Sequence, residues 1–195
     1  MDLERLKIET APDHDRVEGV MSVMSPDLDQ LTYIATLQSL FGFIRGWERW
    51  AESVSLGYLS LELARRRRSA LLATDLAFFS APLPGKIYPG PNLSNENPAH
   101  VLGAMYVIEG STLGGQYIAR HVEQQLSLSG GQGNAYFHGY GERTGEMWRD
   151  VKALLESVPD DEANTVIHAA KTLFSDFATW NGNAEASWTK GTSNA

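Results

Sequence analysis

The chain has 195 residues, 43% of them hydrophobic and 21% charged, a net charge of −8 and no cysteine. That size and balance suit one globular domain with a substantial core. The acidic balance argues against nonspecific nucleic-acid binding, which needs a positive field to hold phosphates. The lack of cysteine excludes disulfide frameworks, thiolate metal sites and cysteine nucleophiles.

The opening Met1-Asp2-Leu3-Glu4-Arg5 is too polar for a secretory signal. No run approaches the roughly 20 apolar residues of a membrane span. The protein is therefore expected to be soluble and cytoplasmic, with no membrane partner. Helical signals dominate the rest of the chain. Thr10 and Asp13 form a variant capping box with Pro12 in the first turn, which predicts a helix over 11–24. One face of it carries His14, Val17, Val20, Met21 and Met24. Ser25-Pro26-Asp27 interrupts the pattern. Asp27 or Asp29 then caps a second helix in which Leu31, Ile34, Leu37, Phe41, Ile44 and Trp47 keep the helical period.

Gly57 marks a turn, and 58–79 is again helical with a break expected near Ser69. Residues 81–97 are rich in Pro, Gly and Asn and read as a long loop. Asn97-Pro98 is an N-cap and first helical residue, opening a glycine-interrupted helix that runs to about Leu126. A Gly-rich connection over 127–141 leads to helices over 142–157 and 160–180. Strand alternation and internal repeats are absent. The expected fold is all-α and single-domain over 1–185, with a flexible C-terminal tail over 186–195.

Two features invite chemistry. His14 has Glu18 four residues on, on the same helix face. A carboxylate on one imidazole nitrogen fixes the tautomer and leaves the other for a metal. The same spacing also describes an ordinary surface pair. The second feature is Glu109-Gly110-Ser111-Thr112-Leu113-Gly114-Gly115-Gln116, with three glycines inside one helical stretch. Each costs about 0.5–1 kcal/mol relative to alanine. Either backbone lies against a flat ligand there, or two helices cross closely.

Other candidates are weaker. His100, His121, His138 and His168 form no i,i+3 or i,i+4 pair, so no non-haem metal motif is present. Gly130-Gly131-Gln132-Gly133 lacks the Lys-Ser/Thr of a phosphate loop. Arg65-Arg66-Arg67-Arg68 reads as solvated surface, with docking of an acidic redox protein as the second reading.

The stretches LKIETAPDHDRVE (6–18) and YVIEGSTLGGQ (106–116) together resemble the proximal and distal helix motifs of haem oxygenases. The likeness is strongest to short bacterial forms associated with bacteriophytochromes. It extends through Arg65–Arg68 and Leu71-Leu72-Ala73-Thr74-Asp75-Leu76 to Tyr136-Phe137-His138-Gly139. The resemblance implies a single helical domain with haem, as substrate and cofactor together, between the two motif helices. The implied reaction cleaves haem to biliverdin, CO and ferrous iron, using O2 and electrons from an external ferredoxin, flavodoxin or reductase. A bacteriophytochrome is the implied recipient of the product.

By the same likeness His14 is the iron ligand, with Glu18 on its other nitrogen. Gly110, Gly114 and Gly115 are the distal glycines, and His14, Gly110, Ser111 and Gly114 form the catalytic set. Lys7, Tyr106 and Arg149 match contacts to the haem propionates. Two departures stand out. Ser111 replaces the aspartate that many animal-type members carry after the first distal glycine, so Ser111, Thr112 and backbone are left to hold water. Ala153 stands where a further basic contact is expected. A carrier or sensor of haem with little turnover, and a purely structural helical domain, are the competing readings.

Overall fold

A computed structural model describes residues 1–19 and 21–191, with side chains described to residue 182. Nine α-helices and no strand occur among these residues. The first, α1 (Leu3–Gly19), begins eight residues earlier than the capping pattern predicts. Asp2 is the true cap, its carboxylate accepting from the Glu4 amide at 2.8 Å. Thr10 and Pro12 lie inside the helix instead of opening it. The Thr10 hydroxyl donates to the Leu6 carbonyl at 2.8 Å, a bond within the helix and not a cap. Buried Leu6 and Thr10 fix the inward face. The helix ends at Gly19, and Met24 belongs to a separate 3-10 turn, Ser22–Met24. Val20 of the predicted face lies outside the described residues.

Asp29, not Asp27, caps α2 (Gln30–Glu52) by accepting from the Thr32 amide at 2.7 Å. Leu37, Phe41, Ile44 and Trp47 are buried as their period predicts, whereas Leu31 is exposed. The stretch after Gly57 divides into α3 (Tyr58–Ala64) and α4 (Ser69–Phe78). Asn97 accepts from the Ala99 amide at 2.9 Å and Pro98 opens α5 (Pro98–Gly110). The predicted continuous helix is broken at Ser111, beyond which α6 (Thr112–Leu126) begins. A short α7 (Ala135–His138) lies within the Gly-rich connection. It precedes α8 (Thr144–Glu156) and α9 (Ala163–Gly191). Of the expected tail over 186–195, no side chain is described, and residues 192–195 lie outside the described residues altogether.

Helix α5 runs through the centre and packs most extensively on α9, with α1 and α8 completing that side. Gly103 permits this closeness: a Cβ there would collide with the Val166 carbonyl of α9 and sit 2.8 Å from the Ala169 methyl. On the other side α2 packs against α4, and α7 bridges α4 and α6. One apolar core results, holding Tyr33, Phe43, Leu72, Met105, Leu155 and Leu173 at its centre.

Candidate functional site

A cavity of about 710 Å³ opens between α1 and the α5–α6 kink. That lies within the roughly 300–1,000 Å³ of sites that enclose a small organic ligand. From α1 come Lys7, Thr10, Ala11 and His14; from the kink come Tyr106, Gly110, Ser111 and Gly115. Phe43, Tyr136, Phe137 and Phe174 form much of the apolar interior. Two stretches nearly 100 residues apart in sequence thus form facing walls.

His14 is the only imidazole among the described residues of that lining. Its side chain is 57% exposed, with Nδ1 3.6 Å from a Glu18 Oε1 that stays in solvent. That separation suits an ion pair but is too long for a hydrogen bond. The ring is steadied by an edge contact with Phe174, centroids 6.0 Å apart. Asp15 stands close enough to share an ion with His14 and Glu18, all three being exposed. The remaining described histidine contacts are used elsewhere: His121 with the Ser25 carbonyl, His138 with Glu123, and His100 with the Ser94 amide.

The three distal glycines have different surroundings. A Cβ on Gly110 would meet only the Trp148 ring, at 3.7 Å, so its openness faces the cavity. A Cβ on Gly115 would collide with the Phe137 carbonyl of α7, so this glycine serves helix packing although it also borders the cavity. Gly114 is exposed, meets nothing within 4 Å, and does not line the cavity. Close packing thus accounts for Gly115, whereas Gly110 leaves backbone open beside the cavity.

Lys7 and Tyr106 line the cavity as the motifs suggest, with Tyr106 leaning on Trp148 at 5.7 Å between centroids. Arg149 does not; it lies on the exposed side of α8. Lys152, which the sequence did not single out, lines the cavity instead. The signal was the helical period: Trp148, Lys152 and Leu155 share one face, and all three line the cavity. Glu18 also stands off the wall.

The arginine quartet is solvated only in part: Arg65 and Arg67 are exposed, whereas Arg66 and Arg68 turn inward. It occupies the break between α3 and α4, and Arg66 and Arg68 are buried. Arg66 donates to Glu109 at 2.8 Å and to the Met147 carbonyl at 3.2 Å. Arg68 donates to the Ile108 carbonyl at 2.9 Å and lies 3.8 Å from Glu109. Tyr140 donates to the same carboxylate at 3.0 Å. Burial first, and Glu109 second, push the Tyr140 phenol well above its ordinary value, so it stays a donor. Arg65 pairs with Glu62 and Asp150, and Arg67 lies 3.5 Å from Glu52. Buried Glu48 in α2 accepts from the Arg68 and Ser69 amides and the Ser69 hydroxyl. The sequence signal was two carboxylates, Glu48 and Glu109, on apolar helix faces, where burial demands cationic or amide partners.

The kink spends its own hydroxyls on the backbone. Ser111 Oγ donates to the Ile108 carbonyl and Thr112 Oγ1 to the Glu109 carbonyl, both at 2.7 Å. Neither retains a proton for a guest, so only their acceptor capacity faces water.

Fold and site together define an all-α domain whose apolar cavity holds one imidazole opposite a side-chain-poor, kinked helix. Residues 2–182 match the family model described as "Heme oxygenase". The chain belongs to the haem oxygenase family. No curated protein sequence matches it. Its structure is similar to the haem oxygenase of Neisseria meningitidis, with TM-score 0.75 and 22% identity over 93% of this chain and 90% of that one. The haem oxygenase of Leptospira interrogans gives TM-score 0.72 and 20% identity over 91% and 97%. A domain of unknown function with a haem oxygenase-like fold from Shewanella denitrificans OS217 gives 0.79 and 14% over 100% and 97%. No helix among the described residues is long and apolar enough to cross a membrane.

Proposed function

We propose that this chain is an active haem oxygenase, cleaving haem to biliverdin, CO and ferrous iron with O2 and electrons from an external donor. The observation that carries it is the cavity: one histidine on α1, a bare helix kink opposite, and apolar walls between. The residues present fit a flat, largely apolar macrocycle. The open side of Gly110 gives it room, and a side chain there would take that room.

In this reading His14 is the iron ligand, and Glu18, within ion-pair distance of its Nδ1, biases the other nitrogen toward the metal. Lys7 and Lys152 supply cations to the propionates, and Tyr106 a phenol beside them. When bound, haem supplies the iron that reduces O2 and the meso carbon that is oxygenated. The protein's part is to seat the ring, exclude bulk water behind Phe43, Phe137 and Phe174, and keep strong acid–base side chains away from the kink. A ferredoxin, flavodoxin or reductase is the electron donor, and a bacteriophytochrome a recipient of the product.

A second reading, a haem carrier or sensor with little turnover, draws on Ser111 and Thr112, whose hydroxyl protons are committed to carbonyls. Both readings meet one experiment. Hemin added to the purified protein gives a Soret band that His14→Ala shifts or weakens. Ascorbate or a reductase in air then bleaches the band and raises biliverdin absorbance. A band that persists under reductant favours the carrier, and no band at all removes both.

A further inference from the structure

The hydroxyl groups lining the cavity are not equivalent. Those of Thr10, Ser111 and Thr112 donate to helix carbonyls at 2.8, 2.7 and 2.7 Å. Tyr106 stands beside Trp148 and is half-buried. Tyr136 differs from the first three in having an unpartnered hydroxyl, and from Tyr106, whose hydroxyl is also unpartnered among the described residues, in being buried. It is 7% exposed, lines the cavity, and its hydroxyl has no hydrogen-bond partner among the described residues. Among the described residues the sealed, unpartnered side-chain atoms are Arg66 Nε, Arg68 Nε and Asn134 Oδ1. Tyr136 Oη is not among these sealed atoms, and the residue lines the cavity.

The ring is held firmly. The Tyr136 amide donates to the Asp75 carboxylate at 2.9 Å, pinning the start of α7. The Arg68 guanidinium lies 5.2 Å from the ring centroid, placing a buried positive charge over its face. Burial pushes the phenol above its ordinary value while Arg68 pulls the other way, the net being upward. The group therefore keeps its proton at neutral pH. A buried donor left unpaired costs stability unless something enters to accept from it.

We propose that Tyr136 is the hydrogen-bond donor of the inner cavity wall, aimed at an anionic or oxygen-bearing group held beside bound haem. This rests on the chain binding haem in that cavity. It gives the cavity a preorganised donor where Ser111 stands in place of a carboxylate, and preorganised donors stabilise charge that develops during reaction. The donor comes from α7, behind α6, and not from the kink itself.

The test uses the hemin-loaded ferric protein and fluoride, a small anion that accepts hydrogen bonds. Tyr136→Phe keeps the ring under Arg68 and removes only the hydroxyl. In the variant that has taken up hemin, loss of one donor weakens fluoride binding roughly 3- to 10-fold. In the ligand-free protein Tyr136→Phe leaves the melting temperature unchanged or raised. Tyr33→Phe lowers it, because Tyr33 donates to the buried Gly133 carbonyl at 3.0 Å. Fluoride affinity equal to the parent's overturns the proposal, as does a melting temperature that falls as far as in Tyr33→Phe. A parent protein that takes up no hemin removes the haem reading and this proposal together. Hemin uptake with unaltered fluoride affinity removes the proposal alone.

Discussion

Alanine at Gly115 and alanine at Gly110 should have opposite signatures, although both glycines belong to one motif. At Gly115 the new methyl would collide with the Phe137 carbonyl, a backbone atom that cannot rotate away. Relief requires α7 to shift against α6, and overpacking of that kind costs about 1–3 kcal/mol. Gly→Ala within a helix returns up to about 1 kcal/mol. Because the clash is with backbone, the upper part of that cost, about 2–3 kcal/mol, applies and the net loss after about 1 kcal/mol is returned is about 1–2 kcal/mol, so at about 2–4 °C per kcal/mol for a domain of this size the melting temperature falls roughly 2–8 °C. At Gly110 the methyl meets only the Trp148 ring, at 3.7 Å, an ordinary contact. The ligand-free Gly110→Ala protein should melt no lower than the parent, while its hemin affinity drops because the methyl enters the cavity. Paired thermal melts and hemin titrations decide it. A Gly115→Ala protein as stable as the parent, or a Gly110→Ala protein that is less stable with normal hemin binding, refutes the assignment of packing to one glycine and ligand clearance to the other.

Glu109→Ala removes the buried carboxylate facing both Arg66 and Arg68 and leaves Arg66 only Glu62, so it should destabilise by about 3–5 kcal/mol in denaturant unfolding; a loss below about 1 kcal/mol would show the cluster to be dispensable. Lys152→Ala should weaken hemin binding by a few-fold, about 0.5–1 kcal/mol, and Arg149→Ala should not, because only Lys152 lines the cavity; equal effects in the titration would reverse the choice. Tyr33, Tyr88, Tyr136 and Tyr140 all have phenols raised chiefly by burial. A raised folded value means their contribution to stability is fully present below the unfolded phenol value near 10 and is lost as pH rises through the folded value. Ultraviolet titration should therefore show these four ionising only with unfolding, and early reversible ionisation of all seven tyrosines would contradict their burial.

Much of this was legible because it was local or periodic. Asn97-Pro98 declared the start of α5, and the apolar period of α2 declared its buried face. The histidine and the glycine run announced two walls, and their pairing across the cavity followed from family likeness, not from spacing. The misreadings have separate causes, the first being that burial of charge is a tertiary property. Four consecutive arginines look solvated until Glu48 and Glu109, 20 and more residues away, are brought against Arg68 and Arg66, which are buried while Arg65 and Arg67 stay exposed. Thr10 and Pro12 look like a helix start because the cap at Asp2 and the inward Leu6 are individually weak signals. Arg149 and Lys152 differ only by where α8 turns its face, which no composition reveals.

A wall made of bare backbone cannot be stiffened from the side it presents to a ligand, so it must be held from behind. The protein does this at three points along α5 and α6. Gly103 lets α5 seat against α9, and Gly115 lets α6 seat against α7, each glycine giving up helix propensity for a close approach to another backbone. Between them, Glu109 is clamped by Arg66 and Tyr140 one residue before the open Gly110. A buried ion cluster contributes little net stability compared with apolar packing, but breaking it is costly, so it fixes one arrangement against alternatives. That property suits a kink whose own residues would otherwise leave the helix angle poorly determined. The rigidity of the cavity's far wall is thus supplied largely from behind, by Gly103, Glu109, Arg66 and Tyr140, which do not line the cavity, and variants in the cluster should broaden the Soret band of the hemin complex before they abolish it.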